Sequence, residues 1–189
     1  MEAETFYPKT KADWRKWLAK NHNSQQAVWL LQYKKNSGHP SLSWSDAVDE
    51  ALCYGWIDSV RRTIDEHSYI QFFTRRKPNS TWSKINKEKI ERLTADGKMT
   101  EVGLACIAIA KQNGSWTMLD EVEELIIPAD LVQAFQDAPG AEEFFLSLSK
   151  SVRKAMLQWL VLAKREATRT KRVQEIVLLM VSKQRPKQF

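Results

Sequence analysis

The sequence contains few of the residues that build disulfide scaffolds, metal centres or phosphate-binding loops. Its 189 residues include two cysteines, three histidines, six glycines and six prolines. Two distant cysteines exclude a disulfide-dense fold and are typical of a reducing compartment, and the scattered histidines show no metal-ligand spacing. The glycines form neither a dinucleotide fingerprint nor a phosphate loop, and no GxSxG motif occurs. These absences favour a non-catalytic protein without a metal or cofactor.

Long apolar runs are also missing. The longest strongly apolar stretch, Ile176–Val181, is far too short to span a bilayer. No basic start followed by an apolar run and a small-residue cleavage site marks a signal peptide. We therefore predict a cytoplasmic protein that does not insert into membranes.

Charge is abundant but unevenly distributed along the chain. The formal net charge is +6, yet the acidic insert, residues 112–149, has eight acids and no lysine or arginine, so the remainder carries +14. A basic body attracts phosphates or acidic partners. Alternatively, its basic and acidic faces pair within the fold or across a homodimer.

Local patterns in the first half predict a mixture of helices and strands. Thr10 and Asp13 form a capping-box pattern that begins a helix over residues 11–21. The apolar run of residues 27–35 predicts a strand, and residues 56–74 predict a hairpin that turns at residues 65–68. We therefore expect an α+β fold with a small, largely antiparallel sheet.

The second half has helical patterns throughout. Ser80 or Ser83 begins a helix that ends near Gly97, and Thr100 begins the next one. Two inward faces are predicted: Trp82, Ile85, Ile90 and Leu93 on the first helix, and Val102, Ala105, Cys106 and Ile109 on the second. The predicted organisation is an α+β domain (1–114), an acidic linker (115–127) and a C-terminal helical domain (128–189), separate from or continuous with the first.

The strongest candidate for a binding site is the basic run, residues 72–92. It carries seven cations against two acids and interleaves them with aromatic and hydroxyl residues. Cations in the first turn of a helix are electrostatically misplaced, and helix N-termini favour anions. The candidate ligand-binding residues are Arg75, Arg76, Trp82, Ser83, Lys84 and Asn86. The alternative is a solvated basic face with Trp82 in the core.

A second basic cluster lies near the C-terminus. Arg165, Arg169 and Arg172 follow an i, i+4, i+7 course that places them on one face of a helix. They are candidates for the second half of the same anion site. The alternative is that Glu166 or the acidic insert balances them.

A third group of candidate residues lies where the chain leaves a predicted helix, turns at Gly55 and enters a strand. It is an alternative pocket made of Tyr54, Trp56, Asp58 and Arg61. Cys53, beside it, lies at a predicted helix C-terminus, which raises the pKa of a thiol, so a buried structural cysteine is favoured over a nucleophile. Asp58 and Arg61 are expected to form a local ion pair.

Four long motifs closely resemble the bacterial YdeI/OmpD-associated family, also called bacteriocin-protection proteins. They are EALCYGWIDS (50–59), FTRRKPNSTWSKIN (73–86), KIERLTADGKMTEVGL (89–104) and AKREATRTKR (163–172). The resemblance covers nearly the whole chain. This chain departs from the family where Thr74 runs directly into Arg75 and where Glu166 replaces a usual proline.

The resemblance implies a role in resistance to bacteriocins or antimicrobial peptides, without an established reaction, cofactor or catalytic residue. The porin association in the family name conflicts with the missing export signal. Our preferred hypothesis is a binding module for a phosphate-bearing anion, either a small molecule or nucleic acid. The alternatives are an enzyme acting in the pocket around Tyr54 and a protein-interaction scaffold or homodimer.

Overall fold

The protein is described by a computed structural model that covers residues 3–184. This part of the chain divides into two compact units between Trp116 and Thr117. It contains nine α-helices, four strands and a short 3-10 helix, Lys35–Ser37. The expected helix-dominated α+β class is confirmed.

The first unit contains a four-stranded mixed sheet. Its strands are β1 (Thr5–Phe6), β2 (Ala27–Tyr33), β3 (Trp56–Thr63) and β4 (Ser68–Arg75), in the order β1-β2-β4-β3. β2 and β3 each pair antiparallel with β4, as predicted, and the register shifts between Asp58 and Arg61. The two-residue strand β1, which was not predicted, pairs parallel with β2.

The helices of the first unit begin at the residues that their capping patterns indicate. They are α1 (Lys11–Asn21), α2 (Trp44–Cys53), α3 (Lys84–Ala95) and α4 (Glu101–Gln112). A Ser or Thr hydroxyl accepts a hydrogen bond from a first-turn backbone N–H in each: Thr10, Ser43, Ser83 and Thr100. The start of each helix is therefore set locally.

The core of the first unit lies on one face of the sheet. Val28, Leu30 and Phe73 alternate along β2 and β4 and are fully buried with Trp14 and Leu18 of α1. The indole N–H of Trp14 donates to the carbonyl of Ala47 at 3.0 Å. Alternation along the strands therefore divides the sheet into an inner face against helices and an outer face.

Two inward faces predicted for helices are wrong in part. Ile85 is 60% exposed, because α3 begins after Trp82 and turns this residue outward. On α4 the buried residues are Gly103, Ile107 and Ala110 rather than the predicted Val102, Ala105 and Ile109. The reason is a close approach of backbones, because a Cβ at Gly103 would lie 2.3 Å from the carbonyl oxygen of Cys53.

Two adjacent acids of α2 are buried, which the sequence patterns did not predict. Asp49, 3% exposed, lies 2.7 Å from Nζ of Lys89 and 2.5 Å from Nη2 of Arg92. Glu50, 2% exposed, lies 2.7 Å from Nη1 of Arg15. Buried carboxylates without partners are strongly destabilising. These pairs therefore join α2 to α1 and α3.

The second unit is helical, as predicted. Its helices are α5 (Asp120–Glu123), α6 (Ala129–Gln136), α7 (Ala141–Ser147), α8 (Lys150–Val161) and α9 (Glu166–Val181). α9 contacts α6, α7 and α8, and its Ile176 and Met180 are fully buried with Phe145 and Leu160. The segment 115–127, expected as a linker, contains α5 and contributes Leu119 and Val122 to this core.

No helix within residues 3–184 is long and apolar enough to cross a membrane.

We expect Gly103→Ala to destabilise the first unit by about 2–3 kcal/mol, because the new methyl group overpacks the contact with Cys53. At a helix position without close neighbours, Gly→Ala would instead raise the free energy of unfolding by about 1 kcal/mol. Gly97→Ala is the comparison, because it has φ +65° and nothing within 4 Å of the added Cβ. It should cost only the left-handed backbone strain, about 1 kcal/mol. Urea denaturation measures both, and a stabilising Gly103→Ala would contradict the packing described.

We expect Asp49→Ala to cost about 3–5 kcal/mol of unfolding free energy, because it leaves the half-buried Lys89 ammonium without its carboxylate. Asp96→Ala is the control, because Asp96 pairs with Lys98 at the surface. Its effect should be much smaller. If Asp49→Ala and Asp96→Ala lose the same free energy of unfolding in thermal or urea denaturation, burial of the ion pair does not contribute to stability.

Candidate functional site

A small cavity lies where the basic run leaves the sheet. Its volume is about 70 Å³, and its walls are Arg76, Lys77, Pro78, Trp82, Cys106 and Ile109. The backbone N–H of Arg76 donates to the carbonyl of Gly55 at 2.9 Å. Through this bond the end of β4 meets the turn between α2 and β3. The cavity therefore brings together two of the sequence motifs and helix α4.

Arg76 is the most unusual residue of this cavity. Its guanidinium lies 3.6 Å above the ring of Trp82, and Nη1 donates to the carbonyl of Thr81 at 2.9 Å. Its Nε is buried without a hydrogen-bond partner, and no carboxylate of residues 3–184 forms an ion pair with it. Burial lowers the pKa of this guanidinium to about 10. Arg76 is thus a desolvated cation with no carboxylate of the described residues in direct contact, and the more distant charge of Asp58 offsets its burial only in part.

The loop that follows Arg76 is held by the end of α4. The carbonyl of Pro78 accepts hydrogen bonds from Nδ2 of Asn113 at 2.9 Å and from Oγ of Ser115 at 3.3 Å. Trp82 is 2% exposed, and its ring centroid lies 5.1 Å from that of Trp116. These contacts hold the cavity walls in place without a ligand.

Gly55 permits the close packing behind the cavity. It has φ +69°, and a Cβ there would lie 2.5 Å from Sγ of Cys106. Burial raises the pKa of the Cys106 thiol, and the nearby charge of Arg76 opposes that shift. Burial is also the main cause of the raised pKa of Cys53, followed by the charge of Glu50. The predicted direction for Cys53 is confirmed, but the main cause is burial.

The other residues proposed from the basic run have structural contacts. Nε of Arg75 donates to the carbonyl of Gln25 at 2.9 Å. Ser83 caps α3 by accepting the backbone N–H of Asn86 at 3.3 Å, and Lys84 is exposed at the first position of the helix. Only Arg76 and Trp82 of the six predicted ligand-binding residues of this run line the cavity.

Four cavity residues were missed: Lys77, Pro78, Cys106 and Ile109. Pro78 lay inside the basic run, but nothing marked its backbone as a wall. Cys106 and Ile109 were assigned to a helix core, and their approach to Arg76 depends on the orientation of α4. The signal available in the sequence was Gly103, a glycine inside a helical pattern, which is typical of close packing.

The four residues of the alternative pocket around Tyr54 do not line a common cavity. The guanidinium of Arg61 lies 3.7 Å above the ring of Tyr69, whereas Asp58 accepts hydrogen bonds from Trp44 and Gln71. The Asp58–Arg61 ion pair that we expected is therefore replaced by other contacts. Tyr54 and Trp56 are buried in the first core. None of the four lines the cavities of about 70, 610 and 630 Å³ in the described part of the chain.

The second basic cluster lies in the second unit and is largely engaged there. Arg169 binds Asp130 through two hydrogen bonds, of 2.6 and 2.9 Å. Arg172 donates to the carbonyl of Trp159 and lies over its ring, whereas Arg165 is exposed at the N-cap of α9. In the acidic insert, Glu123 also pairs with Lys154. These contacts agree with the alternative that acidic and basic groups pair within the fold.

Within residues 3–184 no group of three or more His, Cys, Asp or Glu side chains is arranged to hold a metal ion.

Fold and cavity together define a helix-dominated α+β protein with an arginine-lined cavity in its first unit. The chain belongs to the family described as "Domain of unknown function (DUF8412)", whose sequence model matches residues 6–106. Residues 124–182 match a second family, described as "Bacteriocin-protection, YdeI or OmpD-Associated". No curated protein and no solved structure matches the chain.

The predicted resemblance to the YdeI/OmpD-associated family is therefore confirmed in part. It holds for residues 124–182, which include the whole of the last motif, 163–172. The three earlier motifs lie within residues 6–106, which the other family model matches.

We expect the Asp130–Arg169 pair to stabilise the second unit only above acidic pH. The hydrogen bond from Arg169 lowers the pKa of Asp130 below its ordinary value of 3.8. A lowered carboxyl pKa contributes stability above the ordinary pKa, and this contribution is lost as the pH falls through the folded-state pKa. Arg169→Gln should cost up to about 1 kcal/mol at pH 7, because the pair is partly exposed.

Urea titrations followed by NMR signals of the second unit, at pH 7 and at about pH 2.5, measure this difference. The control is Arg165→Gln, which removes an exposed cation of the same helix end. A loss for Arg169→Gln that persists unchanged at the lower pH would show that the guanidinium acts through packing instead.

Proposed function

We propose that the first unit is a non-catalytic binding module for an oxyanion, the phosphate or sulfate group of a small ligand, and that Arg76 binds it. One observation carries the proposal: the Arg76 guanidinium is desolvated beside a cavity, with its Nε unpartnered and no ion pair to a carboxylate within residues 3–184.

The energetics favour an anion at this position. A buried charge is costly unless it is paired and hydrogen-bonded. An oxyanion offers a guanidinium two parallel charge-assisted hydrogen bonds, stronger than bonds to neutral acceptors. Lys77, exposed at the rim, adds a second positive charge. The ligand therefore supplies a counter-ion in direct contact with Arg76, in addition to the more distant charge of Asp58.

The size of the cavity limits what enters it. A water molecule occupies about 30 Å³ in the liquid, so about 70 Å³ matches a single anionic group rather than a whole nucleotide. The remainder of a larger ligand would lie outside, beyond Lys77. Trp82 is covered by the guanidinium, so it orients Arg76 rather than stacking on the ligand.

Binding without catalysis is favoured by the state of Cys106. It is the nucleophile-type side chain of the cavity wall, and its raised pKa keeps it a thiol at neutral pH. A thiol is a poor nucleophile, but it does not repel an anion. This supports a binding function for the cavity.

We expect phosphate and sulfate to bind saturably at low salt and to raise the melting temperature of the protein. Arg76→Gln should weaken binding at least about tenfold, because it removes both guanidinium donors. It should still fold, because replacing an unpaired buried charge is often neutral or stabilising. Isothermal titration calorimetry measures the affinity, and thermal unfolding with added anion measures the linked stabilisation.

The matched control is Arg61→Gln, which removes a guanidinium stacked on Tyr69 elsewhere in the same unit. It should bind like the unaltered protein. No saturable binding below about 50 mM salt, or equal affinities of Arg76→Gln and Arg61→Gln, would refute the proposal.

The description of the family that matches residues 124–182 supports a cellular role in resistance to bacteriocins or antimicrobial peptides. We propose that this role is cytoplasmic and indirect. Direct capture of a cationic peptide requires a negative surface, and in the acidic insert Asp130 and Glu123 already pair with Arg169 and Lys154. A deletion strain complemented with Arg76→Gln or Arg61→Gln tests whether anion binding and resistance are coupled.

A further inference from the structure

The outer face of the sheet carries large apolar side chains that the first core does not use. Trp29, Leu31, Ile70 and Phe72 alternate with buried inner-face residues along β2 and β4, and all four are only half-buried. They do not belong to either buried core. Apolar surface of this kind marks an interaction or ligand-binding surface.

The strand register groups three of these side chains, Trp29, Ile70 and Phe72, into one concavity. Thr5, Trp29 and Phe72 are direct neighbours across three strands, and the rings of Trp29 and Phe72 lie 4.5 Å apart. The volume is about 630 Å³, and its wall includes Ala27, Val60 and Ile70. That volume lies within the range of small-molecule sites, which are mostly apolar with a few polar groups.

One cationic side chain, Arg62, is part of the wall of this concavity. Arg62, opposite Ile70 in the register, holds its guanidinium 4.7 Å from the centroid of Trp29. It is exposed, and no carboxylate of residues 3–184 forms an ion pair with it. None of the outer-face positions defined by the register is Asp or Glu. An anionic group is therefore the complement of this cation, beside the apolar rings of Trp29 and Phe72.

From this arrangement we infer that the outer face of the sheet binds a small amphipathic anion, with a flat apolar body against Trp29 and Phe72 and one anionic group at Arg62. The site is distinct from the Arg76 cavity, with which it shares no wall residue.

Other occupants fit the face less well. Single-stranded nucleic acid requires several cations along its backbone as well as stacking rings, and this face offers one arginine. A second copy packed about a twofold axis would bring Arg62 to a face without carboxylates, where its charge would be buried unpaired. A small ligand with one negative charge on an apolar body complements both the apolar side chains of the face and its one arginine.

The probes are 8-anilinonaphthalene-1-sulfonate, a flat aromatic monoanion, and its uncharged analogue N-phenyl-1-naphthylamine. We expect saturable fluorescence enhancement with both. Arg62→Gln should weaken the anion about fivefold or more and leave the neutral analogue within about twofold, because it removes only the charge interaction. Arg61→Gln is the matched control. It removes the adjacent arginine, stacked on Tyr69 of the inner face, and should change neither affinity.

Trp29→Ala should weaken both probes about tenfold or more. Val60→Asp also tests whether the probes bind at this face. Val60 is 54% exposed, so the protein tolerates a charge there, and this variant replaces Trp29→Ala if that variant unfolds. It should weaken the anion more than the neutral probe. Near-ultraviolet circular dichroism confirms that each variant keeps its tertiary structure. Arg76→Gln should bind both probes normally, so failure of this site is distinguishable from failure of the phosphate site.

Equal loss of both probes in Arg62→Gln, or no loss in Trp29→Ala and Val60→Asp, would overturn the assignment. So would a dimer, measured by light scattering, that Val60→Asp dissociates, because the face would then serve self-association. Saturable binding of oligo-dT that Arg62→Gln abolishes would assign the face to nucleic acid instead.

Discussion

The turn at the end of α2 is the contact on which the architecture of the first unit depends. The carbonyl of Cys53 accepts hydrogen bonds from both the backbone N–H and the hydroxyl of Thr100, and Gly103 packs directly on it. Two residues later, Gly55 accepts the backbone N–H of Arg76. Helices α2 and α4 and the end of β4 therefore meet at three consecutive residues. Only glycine at 55 and 103 permits this, because any Cβ would overlap a neighbour.

The positive charge of the basic run is divided by burial into groups with different chemistry. Lys89 and Arg92 both bind the buried carboxylate of Asp49, so they hold helices together. Arg76 is desolvated against Trp82, and no carboxylate in the described part of the chain forms an ion pair with it. Part of the +5 charge that the run carries in the sequence is thus engaged within the fold and is not offered to a ligand. This distribution favours recognition of one anionic group over general binding of a nucleic-acid backbone.

The two family matches divide the chain much as its packing does. One model matches residues 6–106, within the first unit, and the other matches residues 124–182, within the second. The family whose name refers to a biological role matches the second region, whereas both proposed binding sites lie in the first. If ligand binding contributes to the cellular role of the second family, binding in the first unit must affect that role. Point variants of Arg76 separate ligand binding from the role of the second unit.

Local chemistry in the sequence was enough to predict where most elements begin and end, because a hydroxyl at an N-cap and the period of apolar residues act within a few residues. Thr10, Ser43, Ser83 and Thr100 each cap the expected helix, and the hairpin turns where expected. The tertiary structure alone decided which face of α4 is buried, why Asp49 lies in the core, and which arginine lines a cavity. These depend on contacts between residues about 20 to 50 positions apart, such as Arg76 with Gly55 and Gly103 with Cys53, and on the desolvation that such packing imposes.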